Sequence, residues 1–275
     1  MSDLPAVSNY QLNNGNIIAW REWGSGVPLI MLHGWSMSSV VFSEVAEILA
    51  TDFRVLCPDL PGHGQSDPST SFSVDGCALA LLEWSRLLGL ESSHLLGWSL
   101  GGQVAIKLAA DYGTFVDKLI LIATTPQFCQ TDDWQYGLPQ AQVKALARNL
   151  KRAYEKTLGD FFDLQFVDEA LPKDRYREIL KFAVRRGVLP EVKSAYASLQ
   201  ALSQTDLRQL LLRIKQETLV MHGGQDQIIP LLAGNYLAEN LSNARLFRFP
   251  DIGHAPFFSR PVECANEWRR FLNES

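Results

Sequence analysis

The stretch Leu95-Leu96-Gly97-Trp98-Ser99-Leu100-Gly101-Gly102 limits what this chain can fold into more than any other. A short apolar run that reads as a buried strand ends at Gly97-Trp98. A helical pattern begins straight after Ser99, with Leu100, Val104, Ile106, Leu108 and Ala109 among small residues. A serine at such a strand-to-helix corner, with glycines two before and two after, is forced into a strained backbone conformation. Side chains at 97 or 101 would collide across the turn. The hydroxyl then stands clear of the sheet, and the first amides of the new helix point at the atom it attacks. The strand before, the helix after and the further Gly102 separate this pattern from a chance Gly-x-Ser-x-Gly. Ser99 is therefore the candidate nucleophile.

The rest of the chain supplies a frame for that corner. Tyr10-Gln11-Leu12 and Ile17–Trp20 flank Asn14-Gly15, a dipeptide that favours a type I′ hairpin turn. Val27–Leu32 is a continuous apolar run, as expected of a strand buried on both faces, and it ends in His33-Gly34-Trp35. A helical pattern at Val41, Val45, Ile48 and Leu49 leads to the strand Arg54–Cys57 and the turn-rich loop Asp59–Ser66. A further helix (Leu79, Leu82, Leu87, Leu88) precedes the corner, and Lys118–Ala123 is the next strand. Strands alternating with helices give an open, mostly parallel α/β sheet with ligands beyond the carboxyl ends of its strands. His33-Gly34-Trp35, Asp59–Ser66 and Ser99 all fall at such ends.

After Pro126 the pattern changes. No strand is convincing up to about Leu202, and three helical stripes follow: Val143, Ala147, Leu150 and Tyr154; Tyr176, Ile179, Leu180 and Ala183; Val192, Tyr196 and Leu199. We read residues 126–202 as an inserted helical cap, and 1–125 with 203–275 as the core. Residues 126–195 hold twelve Lys/Arg against ten Asp/Glu, whereas the whole chain is net −5, so basic charge gathers in the insertion. Lys144, Arg148, Lys151 and Arg152 share a helical face, and Lys173, Arg175, Arg177, Lys181, Arg185 and Arg186 form a second cluster. Alternation resumes with the strand Thr218–Met221, the helix Leu231–Leu241, the strand Arg245–Phe249 and a last helix, Pro261–Leu272.

A serine hydroxyl needs a base, and the base needs an acid that fixes its tautomer; on a corner of this kind the chain order is Ser, acid, His. Of the five histidines, His94 opens the corner strand at the wrong end, while His63 and His33 sit in turns they are suited to brace. His222 ends a strand where it could line the site, but it precedes the acid. His254, in the turn-rich loop Asp251-Ile-Gly-His-Ala-Pro after the last strand, is the candidate base. Asp226, in Gly223-Gly-Gln-Asp-Gln-Ile-Ile-Pro, is the leading acid; Asp251, three residues before His254, is the rival and better suited to capping its turn. An oxyanion hole needs two backbone N–H groups, for which Trp35 and Leu100 are placed. No His/Cys/carboxylate cluster has metal-ligand spacing, and acyl transfer by such residues needs no metal or organic cofactor.

Composition narrows the rest. With 47% hydrophobic and 20% charged residues over 275, the chain can bury a large core. Its net negative charge offers no reason to expect nucleic acid or an anionic membrane. Cys57, Cys77, Cys129 and Cys264 are scattered, as reduced thiols packed as small hydrophobes are. No signal peptide opens the sequence and no apolar stretch reaches the ~18 residues of a membrane span. The expectation is a cytoplasmic monomer.

With His33-Gly34, Asp59-x-Pro-Gly-x-Gly-x-Ser66, the Ser99 corner, Gly224-x-Asp226 and Gly253-His254, the chain resembles the α/β-hydrolase superfamily over essentially its whole length. Leu32-His-Gly-Trp35, Thr125-Pro-x-Phe128 with Asp133-Trp134, Asp206-Leu-Arg208 and His254-Ala-Pro-Phe257 resemble, within it, the pimeloyl-[acyl-carrier protein] methyl ester esterases of biotin synthesis. That resemblance implies the α/β-hydrolase fold and release of methanol from a carrier-bound acyl ester. It also implies an acyl-carrier protein as partner and a substrate-lining stretch Phe161-Phe162-Asp163-Leu164-Gln165, beside Trp35, Ser99, Leu100 and His254. Asp160 departs from it, standing where a basic residue is expected. A broad short-chain esterase, a C–C bond hydrolase and a hydrolase-like receptor are the competing readings.

Overall fold

Apolar runs on both sides of each central strand decide the architecture. In β3 (Val27–Leu32), Leu29 and Met31 join one buried cluster while Ile30 and Leu32 join another, so the strand has helices on both faces. The computed structural model describes residues 4–68 and 72–274, and builds one eight-stranded sheet from them. Its strands are β1 (Ser8–Gln11), β2 (Ile17–Trp23), β3, β4 (Phe53–Pro58), β5 (Ser93–Trp98), β6 (Val116–Ile122), β7 (Glu217–Gly223) and β8 (Ala244–Phe249). Their order is β1-β2-β4-β3-β5-β6-β7-β8; β1 and β2 are antiparallel to their neighbours and the rest run parallel. This is the α/β-hydrolase fold. The chain passes from β3 to β4 on one side and returns to β5 on the other, so the loops after β3 and β5 part at a topological switch point.

One face carries α1 (Ser43–Leu49), α9 (Pro256–Ser259) and α10 (Pro261–Asn273), with Val45, Leu49, Phe257, Phe258 and Trp268 buried. The other carries α2 (Val74–Leu87), α3 (Leu100–Asp111) and α8 (Leu231–Asn240), with Leu81, Trp84, Val104, Leu108 and Leu237 buried. Ser73 caps α2 through its Oγ, which accepts the Gly76 N–H at 3.0 Å. Between β6 and β7 lie α4 (Gln140–Arg152), α5 (Tyr154–Leu164), α6 (Lys173–Ile179) with a π-helical turn at Leu180–Val184, and α7 (Val192–Gln204). The ends of this helical insertion meet: Gln127 bridges Asp206, and the Leu207 N–H donates to Pro126 O at 2.9 Å.

Two expectations need correction. The stripe from Val143 to Tyr154 is not one helix. Ala153, at φ −150°, breaks it, and Tyr154 belongs to α5. The hairpin at Asn14-Gly15 is not type I′, which needs positive φ at both central residues. Only Gly15 has one, at 86°. The Gly15 N–H donates to Leu12 O and the Leu12 N–H to Asn16 O, which makes a three-residue loop with a glycine bulge. Gly15→Ala should therefore cost about 1–2 kcal/mol of stability for forcing a side chain into the left-handed region. Asn14→Ala loses only the exposed bond from the Asn16 N–H to Asn14 Oδ1 and should cost about 0.5 kcal/mol. Urea unfolding of the two variants measures this; a cost at Asn14 equal to that at Gly15 would restore the type I′ turn.

Candidate active site

Ser99 sits between β5 and α3 with φ 54° and ψ −116°, outside the basins ordinary residues occupy. Contacts on all sides hold it there. Its N–H donates to Ile122 O at 3.0 Å, and its carbonyl accepts the Gly102 N–H at 2.9 Å and the Thr124 hydroxyl at 2.7 Å. A Cβ at Gly97 would come within 2.4 Å of Gly101 O, across the turn as the sequence suggests. The reason at 101 differs: a Cβ there would meet the Leu32 carbonyl of β3 at 2.2 Å. Gly34 completes the approach, because a Cβ on it would touch the Trp98 ring and Ser99 Cβ at 3.1–3.3 Å. The turn His33-Gly34-Trp35 thus lies directly against the corner, and Leu100 is the first residue of α3, whose N–H has no partner within the helix.

The loops after β7 and β8 bring Asp226 and His254 together. His254 Nδ1 lies 2.8 Å from Asp226 Oδ2, and both side chains are essentially inaccessible to solvent. Asp226 Oδ1 accepts the N–H groups of Ile228 and Ile229, each at 2.8 Å, so the turn into α8 fixes the carboxylate plane. Burial alone would push this carboxyl up. Electrostatic attraction to the His254 ring and the N–H groups of His222 and His254 outweigh burial and hold it below the ordinary carboxylate range. Asp226 therefore stays ionised and keeps the His254 proton on Nδ1, leaving Nε2 as the ring's acceptor. The Trp98 ring packs on His254 at 5.6 Å and its Nε1–H donates to the His254 carbonyl at 3.0 Å, which ties this histidine to the strand ending at Ser99. Asp251 is not in this arrangement. It is exposed and pairs with Arg260 at 3.1 Å.

The sequence places His222 only where it could line the site and gives no sign of Glu169. His222 Nε2 donates to Ile229 O at 2.9 Å and lies 3.4 Å from Asp226 Oδ2, so it backs the acid instead of merely ending a strand. Glu169 accepts the Gly253 N–H at 2.6 Å, one residue before His254. The Glu169 contact spans 84 residues and leaves no local signal, whereas the His222 contacts arise within the turn that follows its own strand. His33 and His63 brace loops as read. His33 Nε2 accepts the Leu60 N–H at 2.9 Å while its Nδ1 faces Gly34 O, and the His63 ring packs on it at 5.4 Å. Asp59 gathers the same loops, its oxygens accepting from Ser39 and Gln65 at 2.6 and 2.9 Å.

The stretch Phe161–Gln165 divides by role. Phe161 meets the Trp35 ring edge-on at 4.8 Å and forms a wall of two cavities. One, of about 260 Å³, is lined by Ser36, Met37, Leu158, Phe162 and Val184 among others. The second, of about 190 Å³, is lined by Leu138, Val143, Leu146, Leu164 and Ile228 among others. Ser99 lines neither. Phe162 also packs into a ring cluster with Phe166 and Phe258. Asp163 is exposed at the first cavity's edge and accepts from the Tyr176 hydroxyl. Gln165 lines neither cavity; its carbonyl instead accepts the His254 N–H at 3.0 Å. Among the described residues, no group of His, Cys, Asp or Glu could hold a metal ion, and no helix is long and apolar enough to cross a membrane.

Comparison with known proteins decides the family. The family model for the alpha/beta hydrolase fold matches residues 27–261. The chain belongs to the α/β-hydrolase family. Its relatives include proteins named pimeloyl-[acyl-carrier protein] methyl ester esterase. That of Nitrosomonas europaea is 40% identical across 87% of this chain and 93% of the relative, and that of Chromobacterium violaceum is 37% identical across 86% and 90%. Among solved structures, an esterase from Exiguobacterium antarcticum superposes with a TM-score of 0.90 at 28% identity, covering 98% of this chain and all of that one. A bromoperoxidase from Bacillus anthracis superposes at 0.88 over 98% of this chain and all of that one; its 22% identity speaks for the fold alone. This α/β-hydrolase is a carboxylic ester hydrolase.

The buried histidines of the site make stability depend on pH. Burial lowers His33 to about 4, against the pull of Gly34 O, and lowers His63 to about 3, helped by the neighbouring His33. In the unfolded chain both take up protons near 6.5. As pH falls below that value the unfolded state binds protons the native state refuses, so stability falls. The slope approaches ~1.4 kcal/mol per pH unit for each histidine until the folded values are reached. Urea midpoints measured from pH 7 to 5 should drop, and His63→Phe should flatten the slope. Midpoints that do not change with pH would contradict the buried, neutral assignment.

Proposed function

We propose that this protein is a serine carboxylesterase that hydrolyses pimeloyl-[acyl-carrier protein] methyl ester to pimeloyl-[acyl-carrier protein] and methanol, a step of biotin synthesis. The observation that carries the reading is the 2.8 Å His254–Asp226 pair, tied through Trp98 to the strand that ends at a strained Ser99, in a chain alignable over most of its length with esterases of that name. Ser99 Oγ attacks the ester carbonyl carbon while His254 Nε2 takes its proton. The charge that develops on the carbonyl oxygen faces the N–H groups of Trp35 and Leu100. The C–O bond to the methoxy group breaks, and the proton on His254 passes to it, releasing methanol. Water, deprotonated by His254, then attacks the acyl-Ser99 carbonyl; the carboxylic product leaves and the serine hydroxyl is restored. Asp226 remains a carboxylate throughout and stabilises the imidazolium.

The α4–α7 insertion is read as a lid over this site, with Phe161 and the cavities on either side of it receiving the acyl chain. Its outer surface is read as the carrier's landing area. Lys144, Arg148, Lys151 and Arg152 of α4 are exposed, with Lys151 over the Tyr196 ring at 4.2 Å, and Lys173, Lys181, Arg185 and Arg186 are exposed beyond it. Arg175 does not belong to this set. It is half-buried, pairs with Glu44 and donates to Phe258 O, so its charge is engaged inside the fold. Carrier proteins are acidic, and rim charges act mainly on association, screened beyond about 8–10 Å at physiological salt.

Ser99→Ala should abolish methanol release from the carrier-bound ester, a loss on the order of 10⁶ in kcat, while leaving the melting temperature in place. Turnover retained in that variant would contradict the mechanism. Combined reversal of Arg148, Arg152, Arg185 and Arg186 to Glu should raise KM for the carrier-bound ester and leave p-nitrophenyl butyrate hydrolysis nearly unchanged, with added salt acting in the same selective way. Equal effects on both substrates, or none on either, would remove the carrier-docking role from this surface.

A further inference from the structure

The loop that carries His254 is held from outside the core. Its Gly253 N–H donates to Glu169 Oε1 at 2.6 Å, its His254 N–H donates to Gln165 O at 3.0 Å, and the Ser259 hydroxyl donates to Glu169 Oε2 at 2.5 Å. The contact is close enough to exclude a side chain: a Cβ on Gly253 would lie 2.4 Å from Gln165 O and 2.9 Å from Glu169 Oε1. The same turn reaches the acid loop, where the Gln227 amide, next to Asp226, donates to Asp168 Oδ2 at 3.2 Å. Asp168 itself has φ 65°, a left-handed conformation that costs a non-glycine residue energy and persists only where surrounding contacts enforce it.

We propose that the turn Gln165–Glu169, which follows α5, is a clamp that sets the acid–base pair, with Glu169 as its positioning residue. The proposal rests on the reading of His254 as the general base. It makes the insertion part of the catalytic apparatus and not only a cover. The last turn of α5 touches Trp35 through Phe161, and the turn that follows it fixes His254 and brushes the neighbour of Asp226. A displaced α5 would loosen both sides of the reacting centre together, so the base is correctly aimed only when the insertion is seated.

The test uses Glu169→Ala and Glu169→Gln in the full chain, with p-nitrophenyl butyrate as substrate and thermal melting as the check on folding. Misplacement of a reacting group by about 1 Å can cost on the order of a hundredfold. Glu169→Ala should therefore lower kcat by about ten- to a hundredfold with KM within about twofold of the parent. Glu169→Gln keeps an oxygen for the Gly253 N–H and should recover most of the rate. In a His254→Ala background, Glu169→Ala should lower the residual turnover no further, because its effect passes through the missing imidazole. A folded Glu169→Ala enzyme with parental kcat beside an inactive His254→Ala would overturn the clamp and leave the base in place. Equal losses in both backgrounds would overturn it too, by showing that Glu169 acts independently of His254. Undiminished turnover in His254→Ala would overturn the base assignment and the clamp with it. Should Glu169→Ala not fold, Glu169→Asp, one methylene short of spanning Gly253 and Ser259, is judged by the same outcomes.

Discussion

The close approach of three backbone segments around Ser99 is the constraint on which the remainder of the site depends. A non-glycine residue at φ 54° carries a cost of roughly 1–3 kcal/mol and stays there only if its surroundings leave no alternative. Here Gly97, Gly101 and Gly102 let α3 pack against β5, the end of β3 and Thr124 at distances no side chain would permit. If α3 moved outward to admit a Cβ, the Leu100 amide would retreat from the serine. The β3 carbonyl that Gly101 touches would lose its neighbour, and with it the turn bearing Trp35. Position of the hydroxyl, position of the helix amides and position of the β3 loop are thus one packing problem with one solution.

Around that corner the surroundings of Asp226 and His33 each favour one protonation state. Asp226 is buried, yet four N–H groups converge on or near its oxygens, from Ile228, Ile229, His254 and His222. A carboxylate so served remains ionised in a place where an unpartnered one would not. Its position fixes the His254 tautomer. Farther out, His33 stays neutral because its ring is fully buried and both nitrogens already have backbone partners in Leu60 and Gly34. The loops after β3 and β4 are therefore joined by a hydrogen-bonded imidazole that does not change charge near neutrality, and the Trp35 turn inherits that rigidity.

Much of this was legible in residue order, and the exceptions have physical causes. Val27–Leu32 announces a strand because burial on both faces demands apolar side chains throughout, whereas Ser8–Gln11 is exposed along its whole length and carries no such demand. Asp226 outranked Asp251 on loop position alone, and the structure pairs Asp226 with His254 while Asp251 faces solvent and Arg260. The break at Ala153 was hidden because alanine is a strong helix former and the Val143–Tyr154 spacing continues across it; only the fold imposes φ −150° there. Asn14-Gly15 fits two hairpin turns equally well in sequence. Glu169 and Gln165 act on Gly253 and His254 from more than eighty residues away, and His222 reaches Asp226 only through a turn that folds back on its strand. The long-range roles belong to tertiary structure and leave no trace in local pattern.

The central claim is that this strained serine, activated by the buried His254–Asp226 pair, is the group that becomes acylated. Its most direct measurement is reaction of the folded protein with a fluorophosphonate, whose tetrahedral phosphorus stands in for the carbonyl carbon under attack, followed by peptide mass spectrometry. The account predicts one adduct per chain, on the peptide containing Ser99, formed in step with loss of esterase activity and absent after unfolding. An adduct on another residue, or undiminished ester hydrolysis by protein fully labelled at Ser99, would contradict it.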